Sequence, residues 1–510
     1  MQPLSKSKLM AFRQCPKRLW LEVHAPALRE DSAQTRASFT VGHSVGDLAR
    51  QLYDPACKGH TVDLMTEGRT AALARTQSLL ASSAPVFEAG FAAAGALAFA
   101  DVLLPARRAG ARVWRMVEVK SSTSVKDCYR DDVAIQAFVA RQAGVPLVSV
   151  ALAHIDSRWV YPGNGDYTGL LAETDLTTEA FSRDAEVREW ITTAHHVVAK
   201  KAAPALRTGA HCSTPFDCGF YTHCTSQESQ AKYPVSVLPR VQSQALKTLL
   251  QDPAVSDVRH VPDALLNAAQ RRVKAHTLSG QAFFDADGAA ADLAPHKLPA
   301  LFIDFETVQM AVPVWKGTRP YQQMPFQFSA HRLSRTGKLT HSAFLSLSGQ
   351  DPSREFAEAL VNACGSSGPI FVYNAAFETT RIRELAARFA KLRTALLAIN
   401  QRVVDLCPIA RERYYHPSQQ GSWSIKKVLP AVAPDLSYDQ LNGVQDGGMA
   451  MDAYREATAP GTTAARLAQI RQQLLAYCQL DTYAMVRLWQ FLAGRHDLHL
   501  PNTPPADTTA

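Results

Sequence analysis

A chain of 510 residues is longer than one hydrophobic core organises, and it predicts two or three domains. Its 46% hydrophobic and 20% charged content exclude a disordered or fibrous protein, and the lack of an uncharged apolar stretch of about 20 residues argues against a membrane-spanning helix. The formal charge of +8 is a modest excess that favours an anionic partner, nucleic acid being the first expectation.

The opening MQPLSKSKLMAFRQCPKRLW has no uninterrupted apolar segment before a small-residue cleavage site, so no secretory leader is read and a cytoplasmic protein is expected. In that reducing setting the nine cysteines favour metal ligation over disulfides. Helical patterns cover 7–22 and 40–53, and β-like runs follow at 84–91, 96–105 and 112–121. A helical pattern over 129–144 leads into an apolar strand at 145–155, which reads as a mixed sheet with helices packed on it. The segment 229–298, with several prolines and the basic run QRRVK, reads as a connector with short helices. A second domain begins with strand 299–305 and continues through β-like runs at 325–333 and 339–347, helix 353–364, strand 369–374 and helix 376–390. It closes with an amphipathic helix at 464–493, and the Pro- and Thr-rich end is expected to be disordered. The expected divisions are therefore 1–228, 229–298, 299–495 and 496–510.

FIDFET, residues 302–307, ends an apolar strand in two carboxylates one residue apart. Alternation along a strand points Asp304 and Glu306 to one face, where like charges repel unless a cation sits between them. Further on, VYNAAFE puts Asn374 at a strand end, as a cleft residue or an N-cap, and Glu378 on the first turn of the next helix. YCQLD puts Tyr477 and Asp481 on one helix face, and Asp405, in VVDLCP, reads as a further cleft acid or a loop cap.

In this order Asp304, Glu306, Glu378 and Asp481 resemble the acidic set of the DEDD exonucleases, whose fold is RNase H-like. Tyr-x-x-x-Asp at 477–481 is similar to the subgroup with a tyrosine in place of a histidine, and Glu378 departs from the usual Asp. The resemblance implies two Mg²⁺ or Mn²⁺ ions about 4 Å apart, one activating water and one stabilising the leaving oxygen. It further implies Asp304 as a bridging ligand, Glu306, Glu378 and Asp481 as ligands, Tyr477 orienting the attacking water and Asn374 against the substrate.

In the first half, VEVKSS sets Glu118 and Lys120 on one strand face, with Asp101 on the preceding β-run and Gln136 on the following helix. This order resembles the PD-(D/E)XK nucleases of the RecB type, which implies Asp101 and Glu118 as metal ligands and Lys120 and Gln136 as catalytic groups. Relatives carry a histidine ligand where Gly46 stands here; His43 has the wrong spacing, and Glu88 is a substitute ligand or a surface residue. Cys15 stands alone near the start, and Cys212, Cys218 and Cys224 lie together in CSTPFDCGFYTHC. Four thiolates suit a [4Fe–4S] cluster or structural Zn²⁺, with His211 and His223 as alternative zinc ligands. One distant cysteine plus a trio is similar to the clasp of CRISPR-associated RecB-like exonucleases, and that resemblance favours iron–sulfur. Cys57, Cys128, Cys364, Cys407 and Cys478 read as packing residues.

The expected fold class is thus α/β, with two mixed-sheet nuclease-like domains: an N-terminal PD-(D/E)XK, restriction-endonuclease-like domain and a C-terminal RNase H-like one. The expected activity is a metal-dependent nuclease acting on single-stranded DNA from an end, in repair or defence. Its rivals are a non-catalytic nucleic-acid-binding scaffold with degenerate sites and an RNA exonuclease. Basic clusters at Arg107, Arg108, Arg112 and Arg115 fit a backbone-tracking groove, while Trp20, Trp114 and Trp423 read as core rather than base-stacking residues.

Overall fold

The computed structural model describes residues 2–229, 231–252 and 254–503; the last part of the expected disordered tail, 504–510, lies outside the described residues. The architecture is mixed α/β. The described residues fall into two compact units: those of 2–229 with 310–322, and those of 231–309 with 323–503.

The first unit is built on a seven-stranded sheet. Its strands are β1 (Leu4–Ser5), β2 (His60–Thr61), β3 (Val86–Ala93), β4 (Ala96–Arg108), β5 (Ala111–Lys120), β6 (Leu147–Ile155) and β7 (Leu171–Asp175). The order is β2-β3-β4-β5-β6-β7, with β1 paired to the start of β4. β3, β4 and β5 form an antiparallel meander, and helix Asp127–Gln142 then returns the chain to β6, parallel to β5. That helix is buried from Asp132 to Ala140 because it packs on the sheet over Phe91, Leu103, Trp114 and Met116. Each fully buried side chain of this kind contributes roughly 1.5–3 kcal/mol. β5 pairs with β4 only as far as Val117 opposite Val102, so the two strands part at Asp101 and Glu118. β1 takes up the vacated edge of β4 at Ala96 and Leu97. The register of β3 on β4 is unbroken from Phe87–Val102 to Ala89–Ala100, which sets Glu88, at φ 55°, opposite Asp101.

The second unit has a five-stranded sheet in the order β11-β10-β9-β12-β13. Before it come β8 (Phe283–Phe284) and helix Ala286–Leu293; then β9 (Ala300–Val308), β10 (Met324–Leu333), β11 (Leu339–Leu345), β12 (Ile370–Val372) and β13 (Val403–Asp405). β9, β10 and β11 are antiparallel neighbours, whereas β12 runs parallel to both β9 and β13. Of the expected connector 229–298, the described residues after Ser229 belong to this unit. β8 pairs with β14 (Tyr414–Tyr415), and Arg413 bridges Asp285 at 2.7 Å and Asp292 at 2.8 Å.

Period-two alternation divides β9 cleanly. Leu301, Ile303 and Phe305 point into a core with Phe356, Leu360, Ile382 and Leu385. Phe302, on the other face, stacks on Phe371 and meets Trp489 edge-on at 6.0 Å. Trp489 belongs to the 29-residue helix Ala464–Leu492, which therefore lies along the face that carries Asp304 and Glu306. Polar contacts from β10 fix that helix: Gln327 Nε2 donates to Leu474 O at 2.8 Å, and Ser329 bonds Thr482 through their hydroxyls at 2.6 Å.

The segment 310–322 between β9 and β10 counts with the first unit, where Ala311 joins a cluster with Val45, Leu48, Ile155 and Leu170. Among the described residues no helix is long and apolar enough to cross a membrane.

Candidate functional site

In the second unit Asp304, Glu306 and Asp481 each offer a carboxylate oxygen, and the three oxygens lie within 4.8 Å of one another. Glu306 and Asp481 are 7% exposed and Glu378 only 1%. Glu378, on the first turn of helix Ala376–Arg388, stands close enough to raise the Asp304 pKa, and its Oε2 is buried without a hydrogen-bond partner. The cleft, about 260 Å³, is lined by Asp304, Glu306, Asn374, Lys426, Tyr477 and Asp481 among others.

Burial is the first cause of the electrostatics here. It pushes Asp304 well above the usual carboxylate range, helped by Asp481, Glu306 and Glu378. Glu306 is driven up to about 8 by burial and Asp481, against the pull of Lys426. Burial likewise takes Glu378 to about 8 and Asp481 to about 6, the latter held down by hydrogen bonds from Tyr438 and Tyr477. Desolvated carboxylates that repel one another, one of them with an orphaned oxygen, make a donor set that fits a hard divalent cation.

The second motif differs in detail from expectation. Asn374 is not the N-cap of the following helix: Ala375 occupies that position without a side-chain cap, and Asn374 sits at φ 70°, a conformation asparagine tolerates. The capping is done by Asp405, which accepts from Asn374 N and Ala375 N at 3.0 Å and also caps helix Leu406–Arg413 through Cys407 N. Asp405 is thus a loop clamp.

Two residues with no sequence signal complete the cleft. Tyr438 Oη donates to Asp481 Oδ1 at 2.5 Å. Lys426 Nζ lies 3.4 Å from Tyr477 Oη and within 5.0 Å of the ring centroids of both Tyr438 and Tyr477. Neither could be found from spacing, because each stands in an irregular loop or short helix where only packing decides direction. A hydrogen bond to a carboxylate is worth about 1.5–3 kcal/mol, so Tyr438→Phe is expected to weaken the cleft's affinity for Mn²⁺ by ~10–100-fold while the fold persists. Unchanged Mn²⁺ binding in a calorimetric titration would remove Tyr438 from the site.

In the first unit the structure also brings the expected residues together, with two additions. Where β4 and β5 part, Asp101 Oδ2 accepts from Val119 N at 2.7 Å. Glu118 Oε1 receives both Lys120 Nζ at 2.6 Å and Lys6 Nζ at 2.8 Å, and Glu118 Oε2 receives Gln136 Nε2 at 2.5 Å. Asp132, one turn before Gln136, binds Lys120 at 2.6 Å and Lys6 at 3.1 Å. Burial works against the charge of both lysines, yet Asp132 and Glu118 hold their pKa values above the ordinary lysine range. Among the described residues this cluster contributes no three ligands within 4.8 Å of one another, and both Glu118 oxygens are taken by Lys6, Lys120 and Gln136. His43 is exposed, whereas Glu88 is directed toward the cluster and lies 3.7 Å from Arg50.

Cys15, Cys212, Cys218 and Cys224 line one cavity together with Lys17, Arg18, Arg207 and His211. Cys15 caps helix Pro16–His24, its Sγ accepting from Arg18 N at 3.4 Å, and Gln14 Nε2 ties this turn to His211 O and Phe216 O at 2.7 and 2.6 Å. Burial, then the neighbouring thiols, raises the Cys15 pKa. No three of these thiols lie mutually within 4.8 Å, while Cys212 Sγ lies 3.6 Å from Nε2 of the alternative zinc ligand His211. Of the remaining cysteines, Cys57 is exposed and is not a packing residue, and Cys128 is half-buried; Cys364, Cys407 and Cys478 are buried. Trp114 and Trp423 are buried, and Trp20 stacks on His24.

A segment of the chain, residues 301–424, is similar to the domain of unknown function DUF2779. That span holds Asp304, Glu306, Asn374 and Glu378 but stops before Lys426, Tyr477 and Asp481. No curated protein matches the chain.

Proposed function

We propose that the protein is a divalent-metal-dependent nuclease whose cleavage site is the acidic cleft of the second unit. The observation that carries this reading is the convergence of Asp304, Glu306 and Asp481 within 4.8 Å beside the unpartnered, buried oxygen of Glu378. Burial raises the pKa of each of these acids, with mutual repulsion adding to it at Asp304 and Glu306, a cost that a divalent cation would relieve. Mg²⁺ or Mn²⁺, held by these four side chains, would supply water activation and neutralise charge on the leaving oxygen.

The chain's own groups then have defined work. Burial and the neighbouring acids keep the Tyr477 phenol protonated, so it serves as a hydrogen-bond donor that orients water. Tyr438 holds Asp481 in place, and the Lys426 ammonium supplies fixed positive charge for a phosphate at the mouth of the cleft. Asn374, lining the cleft from its left-handed turn, presents an amide to the substrate backbone. The mixed sheet with acids on its central strand supports an RNase H-like reading of this unit, and the splayed β4–β5 pair carrying Asp101, Glu118 and Lys120 supports a restriction-endonuclease-like reading of the first. Single-stranded DNA, taken from an end, is the proposed substrate in a cytoplasmic setting, and the net charge of +8 supports an anionic partner.

The test is digestion of end-labelled single-stranded DNA and RNA by the full chain with Mg²⁺ or Mn²⁺, with chelator and Glu306→Gln as controls. Cleavage that depends on metal and on Glu306 is expected. Binding without cleavage under every metal condition would replace this reading with the scaffold.

For the cysteine cavity we propose a [4Fe–4S] cluster, supported by the four thiols lining one cavity with the basic Lys17, Arg18 and Arg207. Anaerobically purified protein is expected to contain iron and acid-labile sulfide in equal amounts, both lost in Cys218→Ser. Stoichiometric zinc without sulfide would overturn the assignment.

A further inference from the structure

The acid cluster of the first unit is the place where a divalent ion is expected by resemblance, yet its carboxylates are already occupied. Glu118 is 1% exposed, and both its oxygens are taken: Oε1 by two ammonium groups, Oε2 by the Gln136 amide. Asp132 Oδ2 is held by Lys120 at 2.6 Å, while its Oδ1 faces Lys6 at 3.1 Å and Gln136 at 3.4 Å. The two remaining acids are separately engaged, Asp101 with Val119 N at 2.7 Å and Glu88 with Arg50 at 3.7 Å.

Lys6 is not a mobile surface lysine that happens to lie nearby. It is the first residue of helix Lys6–Gln14, whose N-cap Ser5 accepts from Lys8 N at 3.3 Å. The two residues before it form β1, which pairs with β4 on the edge that β5 leaves free. Strand and cap together deliver the Lys6 side chain into the notch between the parted strands, with 19% of that side chain exposed. A dication entering there would have to displace an ammonium or sit against it, and either course is opposed by like-charge repulsion in a desolvated site.

We propose that Lys6 takes the place of the divalent ion in this cleft, so that the first unit, as folded, is a metal-free acid–lysine cluster. This stands independently of cleavage by the second unit. The lysine satisfies Glu118 and Asp132 internally and ties the N-terminal strand and helix to the sheet.

The experiment is a Mn²⁺ titration followed by electron paramagnetic resonance on the full chain carrying Asp304→Asn and Glu306→Gln, which remove ligands from the second unit. This background is expected to bind no Mn²⁺ at millimolar free metal. Adding Lys6→Ala, or Lys6→Met to preserve side-chain bulk, is expected to create one Mn²⁺ site that Glu118→Gln abolishes again. A Mn²⁺ ion bound with Lys6 intact and lost on Glu118→Gln would overturn the proposal. So would failure of both Lys6 variants, shown to be folded by circular dichroism, to gain an ion. Should both variants unfold, the Lys6-bearing background decides by itself: an empty titration supports the proposal, and an ion sensitive to Glu118→Gln overturns it.

Discussion

Asp304→Asn is expected to abolish cleavage and, in metal-free protein, to raise the melting temperature. Asp304 lies amid Asp481, Glu306 and Glu378, and burial with their repulsion drives its pKa well above the usual carboxylate range. Each proton the folded chain must hold beyond the unfolded one costs about 1.4 kcal/mol for every pH unit above the unfolded pKa. An amide of the same shape has no such cost, so stability rises by a few kcal/mol, and ~2–4 °C per kcal/mol is expected for a unit of this size. With metal present the order reverses: wild type gains a tightly bound ion and the variant does not. Loss of charge stabilisation at the reacting phosphate lowers the rate by ~10²–10³-fold or more. Differential scanning calorimetry with and without chelator, beside a cleavage assay, checks both halves. An Asp304→Asn protein that is less stable than wild type in chelator, or one that still cleaves, contradicts the role assigned to this carboxylate.

Chelated protein is also expected to lose stability as pH rises from about 5 to about 8, the reverse of ordinary acid denaturation. Glu306 and Glu378 titrate at about 8 when folded against a usual 4.5, and Asp481 at about 6 against 3.8. Across that window the native state binds more protons than the unfolded chain, so unfolding releases protons and becomes easier as pH increases. The effect is fully developed above the folded pKa values and absent below the unfolded ones. Mn²⁺ binds the deprotonated form, so its stabilising shift grows over the same range. The difference between wild type and Glu306→Gln isolates this cleft from other titrating groups. A melting temperature that is flat or rising from pH 5 to 8 in chelator, in that difference, would show that the acids are not buried together.

How far the sequence could be read depends on how local each feature is. The pairs Asp304–Glu306 and Glu118–Lys120 were legible because two-residue alternation fixes which side chains share a strand face. The trio Cys212, Cys218 and Cys224 stands out by its turn-like surroundings, whereas Cys15 joins it only through the family resemblance; the four line one cavity. Within the expected connector 229–298, strand β8 has no local signature, since it acquires a partner only through Tyr414–Tyr415, far along the chain. Of the two readings of Asn374, cleft residue or N-cap, residue type alone could not choose; the left-handed turn at 374 leaves the capping to Asp405 and Asn374 in the cleft.

By itself the sequence determined the longer strands, the amphipathic helices and the face on which each paired charge sits, all set by backbone periodicity within a few residues. Only the tertiary structure decided which of these faces meet. The edge-on packing of Phe302 against Trp489 and the polar contacts of Gln327 and Ser329 lay the terminal helix so that Asp481 reaches Asp304. In the first unit, pairing of β1 beside the gap left by β5 places Lys6 on Glu118. Such meetings arise from burial and hydrogen bonding between segments remote in the chain, and no local spacing encodes them.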